Sequence, residues 1–434
     1  MQALEEFNIL PRDSCVETIA SIIDRETLVF VIGVRRSGKS CVATQLEAEL
    51  QRKHLDSARV ARYNLETIAA AYLTANDLIS YFDKNYDPDK PNYILLDEIT
   101  HVREWKRVIN HISRHENCHL VLFSSNQRIV SQELSAVREN KYGIVHMFPL
   151  SLPEFIRFQG FQEITRGDEL FGNKLYKRFD GGTYTLKDIY EIYITYGGLP
   201  ILKPEYMDRE RAWVIMDGSY GAVVTHDVLE LGTGEEGSAV TDTLLLRSVI
   251  TIMAKSVGDN ISATWIGKQT AEYLRRPSST KTIESYMRAL INAHLFYTAE
   301  RFDIKAEKAM KTLAKYYMVD TGLRNYITGV RAEDENRLLE NEVFFELLRR
   351  GYQVYNGKLG REEITLLAIK GQTKAYIQVA GKLGWDGMRD LVSPLRRIRD
   401  YHPKIIISFE QKTQTLADGI IILNAIDLLM GGVW

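Results

Sequence analysis

Apolar residues fall into two alternating patterns along the first half of this chain. The run Thr27-Leu-Val-Phe-Val-Ile32 is continuous, as a strand covered on both faces must be. After it, Val42, Ala43, Leu46 and Leu50 recur at helical spacing from residue 39 to 50. Further apolar runs at 58–63, 93–96 and 119–123 read as strands, with a helix over 105–113. Strands alternating with helices predict an α/β fold built on a parallel sheet.

Past residue 150 the pattern changes. Residues 151–240 read as helical and connecting. Amphipathic helices follow at 244–257 and 265–274, then a turn, Arg275-Arg-Pro-Ser-Ser279. The third helix, 280–293, carries Ile283, Met287, Leu290 and Ile291 on one face and is capped by Ser279-Thr280. Leu295-Phe-Tyr297 and the strand at 315–319 suggest a hairpin wing, so the region is winged-helix-like with 280–293 in the recognition position. A helix at 338–350, strands at 352–355, 364–369 and 375–379, a helix bearing Arg389, Arg396, Arg397 and Arg399, and a strand at 404–408 complete the chain. The expected division is 1–160, an α/β core; 161–240, a helical lid or connector; 241–325, the winged-helix-like part; and 326–434, a C-terminal α/β domain.

At 434 residues the chain exceeds one compact core. A net charge of −2 excludes a globally basic nucleic-acid binder, so any such role needs a local patch. Ten Lys/Arg against five Asp/Glu between Ile266 and Lys315 give such a patch a balance of +5, and Arg275, Arg276, Lys281 and Arg288 are its candidate phosphate contacts. No apolar run has the length of a membrane span. Met1 to Ser14 carries Glu5, Glu6 and Asp13 without an apolar core, unlike a signal peptide. Three well-separated cysteines, Cys15, Cys41 and Cys118, fit a reducing cytoplasm rather than a disulfide framework or zinc site.

The chemistry begins where the first strand ends. Gly33-Val-Arg-Arg-Ser-Gly-Lys-Ser40 is G-x-x-x-x-G-K-S, a loop whose backbone N–H groups can cradle a polyphosphate at a helix N-terminus. Gly33, Arg35, Arg36, Ser37, Gly38, Lys39, Ser40 and Cys41 are the expected nucleotide contacts; Lys39 reaches the β/γ-phosphates and the Ser40 hydroxyl suits Mg²⁺. Tyr93-Ile-Leu-Leu-Asp97-Glu98 ends a buried strand in two carboxylates. Asp97 suits the metal, and Glu98 suits the alignment and deprotonation of the attacking water. Ser124-Ser125-Asn126 ends a later strand; Ser125 could sense the γ-phosphate, or the segment could be an ordinary exit into a turn.

These motifs, followed by Ser131-Gln-Glu-Leu134, Pro149-Leu-Ser-Leu-Pro-Glu-Phe155 and Tyr196-Gly-Gly-Leu-Pro200, resemble a prokaryotic AAA-type ATPase family over nearly the whole chain. The resemblance implies ATP rather than GTP, with Mg²⁺, and a restriction-endonuclease-like C-terminal domain of unknown function. Two departures stand out. Lys141 takes the place where relatives carry a candidate arginine finger, with Arg138 as a substitute in shifted register. In the C-terminal domain the pattern E-[IV]-D-F then E-x-K becomes Glu363-Ile-Thr365-Leu and Gln378-Val-Ala380, which cannot assemble a nuclease metal site. Glu340, Glu342 and Glu346 read as helix-surface charges. The expected protein is therefore a cytoplasmic Mg²⁺-dependent ATPase whose cycle moves the appended modules against DNA or a protein partner. The alternative is a slow nucleotide-gated signalling protein without DNA binding; homo-oligomers fit either.

Overall fold

The structure is a computed structural model that describes residues 10–54, 57–67, 72–131, 133–139, 141–164, 174–204, 208–230, 240–381, 385–409 and 413–434. The start of the Met1–Ser14 segment, Asn140, and residues 165–173, 205–207 and 231–239 of the expected lid lie outside that description. The chain forms two compact units: residues 1–147 with 292–294, and residues 148–291 with 295–434.

The first unit is a five-stranded, all-parallel sheet. Its strands are β1 (Leu28–Ile32), β2 (Arg59–Asn64), β3 (Asn92–Asp97), β4 (Cys118–Ser124) and β5 (Tyr142–His146), in the order β2-β3-β4-β1-β5. Strand alternation divides the core. Leu28, Phe30 and Ile32 pack with α3 (Ala75–Asn85) and α4 (Trp105–Ile112), whereas Val29 and Val31 pack with α1 (Asp13–Ile23) and α2 (Lys39–His54). Each such buried side chain is worth about 1.5–3 kcal/mol. With β4 between β1 and β3, the loop after β1 and the carboxylates after β3 emerge on the same C-terminal edge of the sheet.

The second unit opens with α5 (Leu152–Phe158), whose Glu154 carboxylate reaches back to the Ser151 N–H at 2.8 Å. A small antiparallel sheet follows, β6 (Gln162–Ile164), β7 (Leu175–Lys177) and β8 (Thr183–Thr185), where only helices and connections were expected. Three-residue strands show too few alternations to stand out in a sequence. Next come α6 (Leu186–Tyr196) and α7 (Arg209–Ala222). The elements α8 (Thr243–Lys255), β9 (Asn260–Ile261), α9 (Ala263–Leu274), α10 (Thr280–Asn292), β10 (Phe296–Asp303) and β11 (Lys308–Met318) follow, and Ser279 caps α10 by accepting from the Thr282 N–H at 3.1 Å.

The wing is not a separate hairpin. After α11 (Thr321–Thr328) and α12 (Glu335–Arg349) come β12 (Gln353–Leu359), β13 (Glu362–Lys370), β14 (Thr373–Val379), α13 (Trp385–Arg396), β15 (Lys404–Ser408), β16 (Gln414–Thr415), β17 (Ile421–Asn424) and α14 (Ala425–Leu429). Strand β12 pairs with β10 in parallel, Arg301 opposite Asn356, so one nine-stranded sheet runs β16-β17-β15-β14-β13-β12-β10-β11-β9.

A polar seam closes this unit around the Tyr196-Gly-Gly sequence. Gly197, at φ 78°, ends α6, and a Cβ there would stand 2.3 Å from Asp320 Oδ1. Gly198 donates its N–H to Asp320 Oδ2 at 2.8 Å, while its carbonyl accepts from Leu150 N–H at 2.7 Å. Asp320 also caps α11, accepting from Leu323 N–H at 2.9 Å. Burial pushes the Asp320 carboxyl up to about 7 against the pull of these N–H donors. The unfolded value is about 3.9. The folded state thus holds a proton that the unfolded chain has lost, and this contribution to stability, complete below about pH 4, disappears as pH rises through about 7. Urea unfolding at pH 5 and pH 7.5 checks this: Asp320→Asn should narrow the difference between the two midpoints relative to the native chain. An unchanged difference would assign the titration elsewhere.

Candidate nucleotide-binding site

The Gly33–Ser40 loop is shaped by close approach. A Cβ on Gly33 would stand 2.0 Å from the Met147 carbonyl oxygen, so no larger residue fits without moving backbone. Gly33 N–H bonds to the Ser124 carbonyl at 3.2 Å, tying the loop to the end of β4. Arg36 and Gly38 have left-handed backbones, φ 67° and 95°. Arg12 braces the outside, donating to the Ser37 carbonyl at 3.2 Å and, through its N–H, to Gln45 Oε1 at 3.0 Å.

Lys39 is buried and donates to the Gly33 and Val34 carbonyls at 3.0 and 3.1 Å. Its ammonium lies 3.8 Å from Glu98 Oε1. Glu98 is 4% exposed and adopts φ 56°, a conformation costing a side-chain-bearing residue about 1–3 kcal/mol. Its carboxylate accepts the Ser125 backbone N–H at 3.2 Å, and its own N–H bonds to the Phe123 carbonyl at 2.9 Å. Lys39, Asp97, Glu98, Ser124 and Ser125 therefore meet at one sheet edge. Arg35 is buried and ion-paired with Glu66, whereas Arg36, Ser40 and Cys41 are exposed. Burial, then the neighbouring Arg35 charge, lowers the Arg36 guanidinium.

A profile described as "AAA domain" matches residues 25–156, from the approach to β1 into α5. A Haemophilus influenzae protein carrying the name "Uncharacterized protein" is 30% identical over 97% of this chain and 99% of its own length. The chain belongs to a prokaryotic AAA-type ATPase family. A second profile, "Domain of unknown function (DUF8612)", matches residues 187–334, which run from α6 to the start of α12. A Methanocaldococcus jannaschii protein, also named as uncharacterised, is 22% identical to this ATPase over 81% of the chain and 74% of the relative. The Walker-type ATPase of Pyrococcus abyssi is a looser likeness, with 13% identity and a TM-score of 0.46 over 74% of this chain and 96% of that one.

The donor set suits Mg²⁺. Both Asp97 carboxylate oxygens and the Ser37 hydroxyl are buried without a hydrogen-bond partner, at a position where a lone carboxylate is otherwise costly. Burial pushes the Asp97 carboxyl up; the Ser40 hydroxyl and the Lys39 charge oppose this. Asp97 and Ser40 are the residues that would hold the ion.

Several features of the ATPase had no signal in its sequence. Glu66, Arg12 and Gln45 support the loop from distant positions. His294, 1% exposed at φ 56°, belongs to the first unit and meets His146 edge-on at 6.4 Å between ring centroids. Burial, then the neighbouring His146 and Lys39, presses its imidazole down to about 3, which keeps it neutral. At Ser125 it is the backbone N–H that holds Glu98.

Outside this site the expected residues fare differently. Arg275, Arg276, Lys281 and Arg288 are exposed, but Arg276 pairs with Asp242. Lys315, counted in the basic patch, is buried. Lys141 is exposed and pairs with Glu139 at 2.9 Å. The helix glutamates are not surface charges: Glu342 and Glu346 are buried, and Glu340 accepts from Lys315 at 3.1 Å and Tyr317 at 2.7 Å. Helix α12 is enclosed on more than one side, so polar positions that periodicity would assign to solvent point into the unit.

Asp97→Asn should separate folding from binding. Removing an unpaired buried carboxyl should raise the melting midpoint by about 2 °C or more, with a larger gain at pH 8 than at pH 5. The same change should weaken Mg²⁺-ATP binding at least about tenfold while leaving metal-free binding nearly unchanged. Calorimetric melts and nucleotide titrations with and without Mg²⁺ check both halves.

Proposed function

We propose that the 33–40 loop binds ATP and that Glu98 promotes its hydrolysis. The carrying observation is the placement of the Glu98 carboxylate, buried, 3.8 Å from the Lys39 ammonium and held by the Ser125 N–H. Loop N–H groups take the phosphate oxygens, and Lys39 exchanges its two carbonyl partners for the β/γ-phosphates. Glu98 aligns a water in line with the γ-phosphorus and accepts its proton as the bond to ADP breaks. Ser40 and Asp97 would hold Mg²⁺, which would supply charge neutralisation to the phosphate groups. We assign Arg35 to fixing the loop through Glu66, and Arg36 and Cys41 to its exposed rim.

The turnover we infer is slow, with output through a partner. Lys141 offers a point charge, already paired with Glu139, in place of a planar arginine fork. DNA contact would rest on Arg275, Lys281 and Arg288, since Arg276 is paired and Lys315 is buried. Three phosphate contacts give a salt slope of only about −3, so a protein partner is favoured. The four-part division at residues 160, 240 and 325 remains our functional reading, in which the winged-helix-like part and the C-terminal domain, joined by one sheet, act together.

Glu98→Gln should keep ATP affinity within about threefold and cut turnover by about 100-fold or more, whereas Lys39→Ala should lose both. Paired titration and phosphate-release assays decide it. Turnover surviving in Glu98→Gln would remove the assignment.

We further read the C-terminal domain as a docking module rather than a nuclease. Gln378 Oε1 accepts from both the Thr365 hydroxyl (2.5 Å) and its N–H (3.0 Å), and the Gln378 amide donates to the Glu363 carbonyl at 3.2 Å. The remaining acids are already neutralised: Lys315, from wing strand β11, lies 3.1 Å from Glu340 and 2.9 Å from Glu363. Asn260 donates to the other Glu363 oxygen at 2.8 Å. An ammonium thus stands between the two carboxylates that a catalytic cation would need, and a divalent metal does not fit there. Supercoiled plasmid should stay intact with Mg²⁺ or Mn²⁺. Lys315→Met should destabilise the second unit by about 1–3 kcal/mol, because Glu340 and the partly exposed Glu363 lose the cation they share and keep only their Tyr317 and Asn260 donors. Nicking assays and denaturant melts read these outcomes; metal-dependent nicking abolished by Glu363→Gln would overturn the reading.

A further inference from the structure

Asp83, His111 and His115 bring one carboxylate oxygen and two imidazole nitrogens within 4.8 Å of one another. Two of the three are already in contact, His111 Nε2 lying 2.7 Å from Asp83 Oδ1. An aspartate–histidine pair accounts for that contact but not for the second imidazole beside it. His111 and His115 are four residues apart across the end of α4, where the chain keeps turning: Arg114 N–H bonds to the His111 carbonyl at 3.2 Å and His115 N–H to the Ile112 carbonyl at 3.1 Å. That spacing puts two imidazoles on one face, as in helical zinc sites.

Both rings are held in place. Phe82, on α3 beside Asp83, meets His111 edge-on at 6.1 Å and His115 at 5.3 Å, and Tyr86 lies 4.4 Å from His115. The Tyr86 hydroxyl is itself anchored to Asn117 Oδ1 at 2.6 Å. Ligands about 2.0 Å from a tetrahedral cation are about 3.3 Å apart. The cluster, whose ligand atoms all lie within 4.8 Å of one another, therefore needs a contraction of at most about 1.5 Å. Solvent access at Asp83 leaves room for water as a fourth ligand.

We propose that Asp83, His111 and His115 form a binding site for a borderline first-row divalent cation of the Zn²⁺ class, clipping α3 to α4. Two imidazole donors select against Mg²⁺, so the site is chemically separate from Asp97 and Ser40. It is also separate in space. His115 accepts from Cys118 N–H at 3.0 Å at the very start of β4, on the sheet edge opposite the phosphate loop. A strand of this length places the two sites roughly 20 Å apart.

The experiment uses the full chain, stripped with a chelator and desalted, and titrated with ZnCl₂ alone by calorimetry and by thermal melting. The native protein should bind one Zn²⁺ with micromolar or better affinity and melt about 2 °C or more higher. His111→Ala and His115→Ala should each weaken binding at least tenfold and abolish the melting shift, with unchanged circular dichroism. Excess Mg²⁺ should not displace the ion, and Co²⁺ should give the visible bands of a tetrahedral site. Absence of Zn²⁺ binding, or one-to-one binding that survives loss of both histidines, would overturn the proposal. Because the readouts need no nucleotide, they stand or fall apart from the ATPase assignment.

Discussion

Three charged groups crowd the C-terminal edge of the first sheet, and water reaches little of any of them. Asp97 and Glu98 follow one another on the chain, and Lys39 is the cation that Glu98 meets, at 3.8 Å. In a medium of low polarity, two adjacent carboxylates with one ammonium are a costly arrangement, tolerable when a further cation and a polyanion arrive together. The rest of the unit serves to keep this arrangement from relaxing. Strand β4 lies between β1 and β3 and supplies the Ser125 N–H and Phe123 carbonyl that hold Glu98 in a left-handed conformation. Glu66 and Arg12 occupy the loop's outer groups, while Lys39 is held inside by the Gly33 and Val34 carbonyls.

The second unit solves a different problem with the same currency of buried charge. Its family-like sequences, Ser151-Leu-Pro-Glu154 and Tyr196-Gly-Gly-Leu-Pro200, hold close contacts within the unit. They are joints. Gly197 and Gly198 let α6 end against Asp320 and Leu150 at distances that any Cβ would block. Tyr193 bridges Leu150 and Glu342 in the same seam, and Arg349 donates to the Pro149 carbonyl at 3.3 Å. Lys315, buried on β11, balances Glu340 and Glu363 at 3.1 and 2.9 Å.

Much of this was legible because backbone and sequence periods agree. Continuous apolar runs placed β1, β3 and β4 within a residue or two, and the Gly-x-x-x-x-Gly-Lys-Ser spacing located the loop, since phosphate geometry leaves few alternatives. What stayed hidden depends on long-range pairing. No local pattern joins Lys315 to Glu363, His294 to His146, or β10 to β12. Buried Glu342 and Glu346 misled because a helix enclosed on more than one side shows no clean polar face.

The assignment of residues 292–294 to the first unit has a consequence for how the protein is made. Domains emerging from a ribosome ordinarily finish in order, each closing before the next is synthesised. Here the leading domain is short of His294, a fully enclosed ring, until about half of the trailing one has been translated. Its completion is therefore delayed rather than early, and a proteolytic fragment ending at Met147 would be an unfinished fold.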